Sequence, residues 1–194
     1  MTDEPENFRQ VLDARVLAAI THPVRRRLLD VLKVDGPATV GRLAERTGQA
    51  VGNVSHHVKV LAGGGLIEEV PELARDRRER WWRLTAAELR WARSDFEDDP
   101  VREAVADAAG SLLLERQTAL VRQWFAQRHA YGPEWRDGCS VATETWLRLT
   151  PEEARELAVD LTAVLQKWAA RPVPEDGRER EPVFAFAHSV PAQP

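Results

Sequence analysis

The sequence predicts a mainly α-helical protein with one small β-hairpin, and three observations carry that expectation. Apolar residues recur at helical spacing through most of the first 60 residues. Between Leu66 and Leu84 that period gives way to two short β-type runs flanking a charge-dense loop. Two long helical stretches follow, about 100–129 and from Thr150 onward, each opened by a capping signature. At 194 residues, 43% hydrophobic and 30% charged, the chain has an ordinary globular balance and the length of one large domain or a small domain with an appendage.

Residues 1–7 are acidic and polar and read as a frayed tail. The spacing of Phe8, Val11 or Leu12, Val16 and Ala19 predicts a helix from 8 to 20. Thr21 reads as an N-cap with Pro23 in the first turn, and the helix it opens turns Val24, Leu28, Leu29, Val31 and Leu32 inward. Asp35-Gly36-Pro37 ends that helix. Thr39 caps a short helix over 40–46, and Thr47-Gly48 makes a tight turn. A further helix over about 50–61 turns Val51, Val54, Val58 and Leu61 inward and stops at Gly63-Gly64-Gly65. Residues 66–70 and 80–84 then read as paired strands around the loop 71–79. Thr85-Ala86-Ala87-Glu88 has the form of a capping box for another helix near 85–93. This order is that of a winged helix-turn-helix, expected over residues 8–93.

Residues 94–194 are expected to form a long dimerisation helix and a small α+β appendage. Asp99-Pro100 opens a helix running to about 129, roughly 43 Å at 1.5 Å per residue. Val101, Val105, Ala108 and Leu112 would share its inward face, and Gly132-Pro133 ends it. The alternation over 141–149 reads as a strand, paired with a second one over 183–188. Thr150-Pro151-Glu152-Glu153 is a capping box for a helix to about 170, and 171–181 is a Pro-rich charged linker.

The net charge of −4 hides a split. Residues 1–93 hold 16 Lys and Arg against 13 Asp and Glu, whereas 94–194 hold 11 against 18. A basic front and an acidic back are two different surfaces. A helix lying in the major groove must present short polar side chains able to donate and accept hydrogen bonds. Once the apolar stripe is subtracted, the helix near 50–61 offers Gln49, Asn53, Ser55, His56 and Lys59, with His57 at the border. The hairpin loop adds Arg75, Arg77, Arg78 and Arg80, four arginines within six residues, a footprint for phosphates or a minor groove. Helix and loop together point to double-stranded DNA as the partner.

At these residues the chain resembles the ArsR-type winged helix-turn-helix regulators. Their opening segment is similar to Thr21-His22-Pro23-Val24-Arg25-Arg26-Arg27-Leu28-Leu29, and their recognition segment to Val54-Ser55-His56-His57-Val58-Lys59-Val60-Leu61 followed by Gly65-Leu66-Ile67. Their wing resembles the stretch from Arg77 to Arg83-Leu84-Thr85, with Trp81 and Trp82 at its aromatic positions. The match covers roughly residues 10–90. It implies a homodimeric, cytoplasmic transcription factor, most often a repressor released by something it senses. Of Arg25, Arg26 and Arg27, which point about 100° apart, one is expected on the DNA backbone and the others in ion pairs such as with Asp30.

The family's metal sites have no counterpart here. Residues 39–61 contain no Cys, His56 and His57 diverge on their helix, and 85–93 contain no His, so neither a metal nor another cofactor is expected. Cys139, the one cysteine, reads as a buried inert thiol rather than a redox sensor. Trp124, His129, Trp135 and Trp146 are candidates for a pocket taking a small-molecule effector, against the plainer reading of a core built from large side chains. A metal- or redox-responsive sensor, and a winged helix serving as a protein-interaction module through its acidic half, are the alternative functions. No catalytic motif appears, no run approaches the roughly 20 apolar residues of a membrane span, and the polar start is unlike a secretory signal. A cytoplasmic non-enzyme without membrane contact is expected.

Overall fold

The computed structural model describes residues 8–76, 78–86 and 88–193, with backbone alone for Phe8, Glu88 and Arg93. The expected tail 1–7, Arg77 of the wing and Ala87 of the expected capping box lie outside the described residues. The chain divides into two units, Met1–Glu115 and Arg116–Pro194.

In the first unit, β1 (Phe8–Gln10) leads to α1 (Ala14–Thr21), whose N-cap Asp13 accepts from the Arg15 amide at 2.8 Å. Helix α2 (Pro23–Asp35) follows, then β2 (Ala38–Thr39), α3 (Val40–Thr47) and α4 (Val51–Gly63). Strands β3 (Ile67–Glu69) and β4 (Trp81–Leu84) form the hairpin, and the antiparallel sheet has the order β2-β4-β3. Registers Ala38↔Trp82 and Glu69↔Trp82 make β4 the central strand. Strand β5 (Glu88–Arg90) runs parallel to β1 in a separate two-stranded sheet, with Phe8↔Glu88 in register.

The core is one apolar cluster drawn from every helix of this unit, with Leu17, Leu28, Leu43, Val54 and Leu61 fully enclosed. The helix predicted over 8–20 therefore begins only at Ala14. Its first residues pair with β5 instead, and the Val11 amide donates to the Arg90 carbonyl at 2.8 Å. The same pairing overturns the helix expected near 85–93. The Thr85 hydroxyl, expected as a cap, donates instead to the Gly65 carbonyl at 2.8 Å, and the chain beyond it becomes β5. Both departures have one cause, a partner about 80 residues away that local periodicity does not see. Thr21 closes α1 rather than opening α2: its hydroxyl donates back to Leu17 and Ala18 carbonyls at 3.2 and 3.3 Å, and His22 is the N-cap of α2.

Phe96, in a short 3₁₀ turn (Arg93–Phe96), is the largest fully buried side chain, with the Arg102 guanidinium 5.4 Å from its ring centre. Helix α5 (Pro100–Gln127) starts at Asp99, whose carboxylate accepts from the Val101 amide at 2.8 Å. Its inward face lies one residue off the prediction. Ala106 and Ala109 are buried and Val105 packs beside them, whereas Val101, Ala108 and Leu112 are exposed. Small residues sit inward because their Cβ atoms let the helix approach the core closely.

In the second unit, α6 (Pro133–Arg136) is a single turn, and α7 (Pro151–Ala169) carries the predicted capping box. The Glu153 amide donates to the Thr150 hydroxyl at 3.3 Å, and the Thr150 amide to the Glu153 carboxylate at 2.7 Å. The strands predicted over 141–149 and 183–188 are absent: neither segment joins a sheet, and both are largely exposed. Alternation makes a strand only where one face has something to cover, and no residue of α7 is buried. Phe184 and His188 instead contact α5, with Arg116 5.2 Å from the Phe184 ring and His188 Nε2 2.7 Å from Gln117 Oε1. The α+β appendage is thus helical with extended segments.

Phe96→Ala removes the largest enclosed side chain and should lower the stability of the first unit by about 3–5 kcal/mol. Urea unfolding followed by far-ultraviolet circular dichroism checks this, the midpoint falling with little change in slope.

Candidate nucleic-acid interface

Helices α3 and α4 meet at Gly48, which adopts φ +65° and whose amide donates to the Glu45 carbonyl at 3.2 Å. A left-handed residue here is what glycine permits without strain. Thr47 beside it is buried, and its hydroxyl donates to the Leu43 carbonyl at 2.6 Å. Thr39 caps α3 by accepting from the Arg42 amide at 3.3 Å. Helix α3 is thus fixed at both ends before α4 begins.

Val54, Val58 and Leu61 of α4 are buried, each stabilising its seat by about 1.5–3 kcal/mol. Val51, expected with them, is 58% exposed because it is the first residue of the helix. The fourth inward side chain is His57, 7% exposed, against the expectation that it reaches DNA from the border of the stripe. It packs on His22, with ring centres 4.6 Å apart. Burial, followed by His22 and Arg25, pushes His57 below the usual imidazole value; burial and then Arg25 do the same to His22.

The opposite face of α4 carries what the sequence places there. His56 and Lys59 are exposed and Ser55 is half-buried. Asn53 donates from Nδ2 to Gln49 Oε1 at 2.9 Å, one turn apart. That bond ties the two amides together and engages neither the Gln49 Nε2 donors nor the Asn53 Oδ1 acceptor, a donor and acceptor pair of the kind that complements an adenine edge. Helix α4 contains no Asp or Glu.

On the hairpin, the Asp76 carboxylate accepts from the Arg78 and Glu79 amides at 2.7 and 3.0 Å, and Glu79 accepts from the Arg75 amide at 2.8 Å. The two acidic residues are therefore spent on backbone, holding the loop in shape. Arg75 and Arg78 are exposed, and neither guanidinium has a carboxylate partner among the described residues. Arg80 stands 3.5 Å from Glu69, and Arg83 2.8 Å from Glu68, so these two serve the hairpin. The three consecutive arginines separate as their angles require. Arg25 donates to the Ala19 and Ala18 carbonyls at 2.7 and 3.0 Å, Arg26 stands 3.4 Å from Asp30, and Arg27 is exposed.

The effector candidates are only partly brought together. His129 and Trp135 line an open cavity with Tyr131, Glu134 and Cys139, and Trp124 reaches its edge through a 5.2 Å ring contact with Tyr131. Trp146 does not line it and is 68% exposed. Cys139 is exposed rather than buried, its thiol donating to the Glu134 carbonyl at 2.9 Å. Among the described residues, no three His, Cys, Asp or Glu side chains are placed to hold a metal ion, and no helix is long and apolar enough to cross a membrane.

Residues 20–70 match the helix-turn-helix domain family. No curated protein matches the chain. Among solved structures, the transcriptional repressor BigR from Xylella fastidiosa is 26% identical at a TM-score of 0.33, over 51% of this chain and 80% of its own. A homodimeric winged helix-turn-helix DNA-binding domain from Mycobacterium bovis, a possible ArsR-family transcriptional regulator, is 22% identical at a TM-score of 0.33, over 61% of this chain and 85% of its own. A transcriptional regulator from Thermotoga maritima is 16% identical at a TM-score of 0.32, over 80% of this chain and 85% of its own. Over residues 20–70 the chain is thus similar to the helix-turn-helix domain family, and in its own fold the helices of that stretch are followed by a β-hairpin.

Proposed function

We propose that this protein is a homodimeric, sequence-specific DNA-binding transcriptional regulator, acting as a repressor, with α4 in the major groove and the hairpin on the backbone or minor groove. The observation that carries the reading is α4 itself. Its buried half is anchored by four side chains, while beyond Val51 in its first turn the exposed side chains are Asn53, His56 and Lys59, with no carboxylate on the helix. Gln49 and Asn53 are the base readers, His56 and Lys59 the groove-edge and phosphate contacts, and Arg75 and Arg78 the wing cations. Arg77, between the last two, joins them on sequence grounds.

Dimerisation is supported by α5, which leaves Leu114, Val121 and Phe125, at i, i+7 and i+11 on one helix face, between 40% and 60% exposed. Apolar side chains exposed along one helix face in this way fit an association face. A two-fold dimer places its two reading helices about one DNA turn apart, so the target is an inverted repeat.

Three outcomes test this. The double variant Arg75→Ala/Arg78→Ala should weaken DNA binding at low salt. It should also flatten the plot of log affinity against log salt by about 0.9 for each phosphate no longer neutralised. An unchanged slope in titrations by fluorescence anisotropy removes the wing from the interface. Asn53→Ala should cost about 1–3 kcal/mol on a preferred site and relax base preference there, while leaving binding to unrelated duplexes nearly unchanged. Phe125→Glu should shift the sedimentation coefficient from dimer to monomer; a wild-type chain that already sediments as a monomer contradicts the dimer.

A further inference from the structure

His57 lies mid-way along α4 on its buried side, with the His22 ring 4.6 Å and the His56 ring 5.4 Å from its centre. The Nδ1 atoms of His22 and His57 are both buried without a hydrogen-bond partner among the described residues. An apolar residue of similar size at either position would avoid that cost, so the two imidazoles are an expensive way to fill the space.

The surroundings are uniformly hostile to a proton. Arg25 is pinned to the carbonyls of Ala18 and Ala19 at the end of α1, and its fixed positive charge acts on both rings. His22 is the N-cap of α2, at the positive end of that helix. Helices α1 and α4 contain no Asp or Glu. The two carboxylates of α2 are taken, Asp30 by Arg26 and Asp35 by Arg46 at 2.6 Å. On α3, Arg42, Glu45 and Arg46 are exposed, and on the hairpin Glu68 and Glu69 pair with Arg83 and Arg80. Among the described residues, no counter-ion therefore stands ready for an imidazolium.

We propose that the His22–His57 contact is an acid-sensitive latch on the recognition helix. While both rings are neutral they pack together and seat α4 on α1 and α2. A proton on either ring sets an uncompensated charge against Arg25, and the charge is relieved when α4 lifts from its seat, which disorders the reading face and releases DNA. The consequence for DNA rests on the function proposed above; the latch itself does not. The sign follows from the depressed folded-state values: the folded form binds fewer protons than the unfolded chain. The latch is whole above the unfolded imidazole value of about 6.5 and is lost as pH falls below it through the folded values.

The test compares wild type with His22→Gln and His57→Gln as full chains, between about pH 7.5 and about pH 5.5. Thermal unfolding is read by tryptophan fluorescence, and binding to a pool of random-sequence duplexes is read at fixed salt. The wild-type midpoint should fall on acidification by several degrees more than that of His22→Gln, whose site is only half-buried and tolerates the change. His57→Gln should behave alike if it folds, and His22→Gln decides the matter if it does not. Wild-type affinity should weaken by up to about tenfold per histidine for each pH unit, the linkage limit, and the variant should lose most of that dependence. General acidification strengthens DNA binding by adding positive charge, so weakening is the diagnostic sign. Equal midpoint losses in wild type and His22→Gln overturn the latch. Unequal losses with no duplex binding at any pH uphold the latch and overturn the DNA reading instead.

Discussion

Helix α4 can present a polar face only because its other face is held in place. Val54, His57, Val58 and Leu61 fix its rotation about its own axis, and the Thr47-Gly48 turn fixes where it starts. A rotation of 100°, one residue's worth, would put Val54 into water and turn Asn53 away from the exposed face it now occupies. The residues proposed to read DNA are thus positioned by the buried ones opposite them. The same logic applies to the hairpin, where Asp76 and Glu79 shape the loop through backbone amides and so leave Arg75 and Arg78 uncommitted.

His57 stands apart within that seat. Three of the four anchors are aliphatic and indifferent to pH, whereas the fourth is a titratable ring facing a second one and a fixed guanidinium. One side chain therefore belongs both to the support of the interface and to its response to conditions. His22, which Thr21 displaces into the N-cap position by closing α1, is brought to α4 by the same junction of α1 and α2 that Arg25 holds together.

Much of this was legible in the sequence where the determinants are local. The caps at Thr39 and Thr150, the turn at Gly48 and the polar face of α4 all follow from residues within one or two turns of each other. Failures arose where a distant partner decides. Strand β1 exists because β5 is there to pair with, and neither segment has strand-like alternation long enough to announce itself. His57 passed for a border residue because a helical wheel cannot say what the neighbouring helix offers; His22 offers a flat ring, and His57 turns inward to meet it. In the second unit the alternation over 141–149 was real, yet it met no surface to cover, and a pattern alone does not make a sheet.

The overall charge of −4 is compatible with a nucleic-acid partner because contact depends on the local field rather than the total. The acidic surplus lies beyond residue 93, outside the helix and loop assigned to DNA. That assignment is tested most directly by selection of duplexes from a random-sequence pool with the purified full chain at neutral pH. The expected result is enrichment of a single inverted repeat with half-sites about one helical turn apart. A pool that stays random through repeated rounds would contradict it.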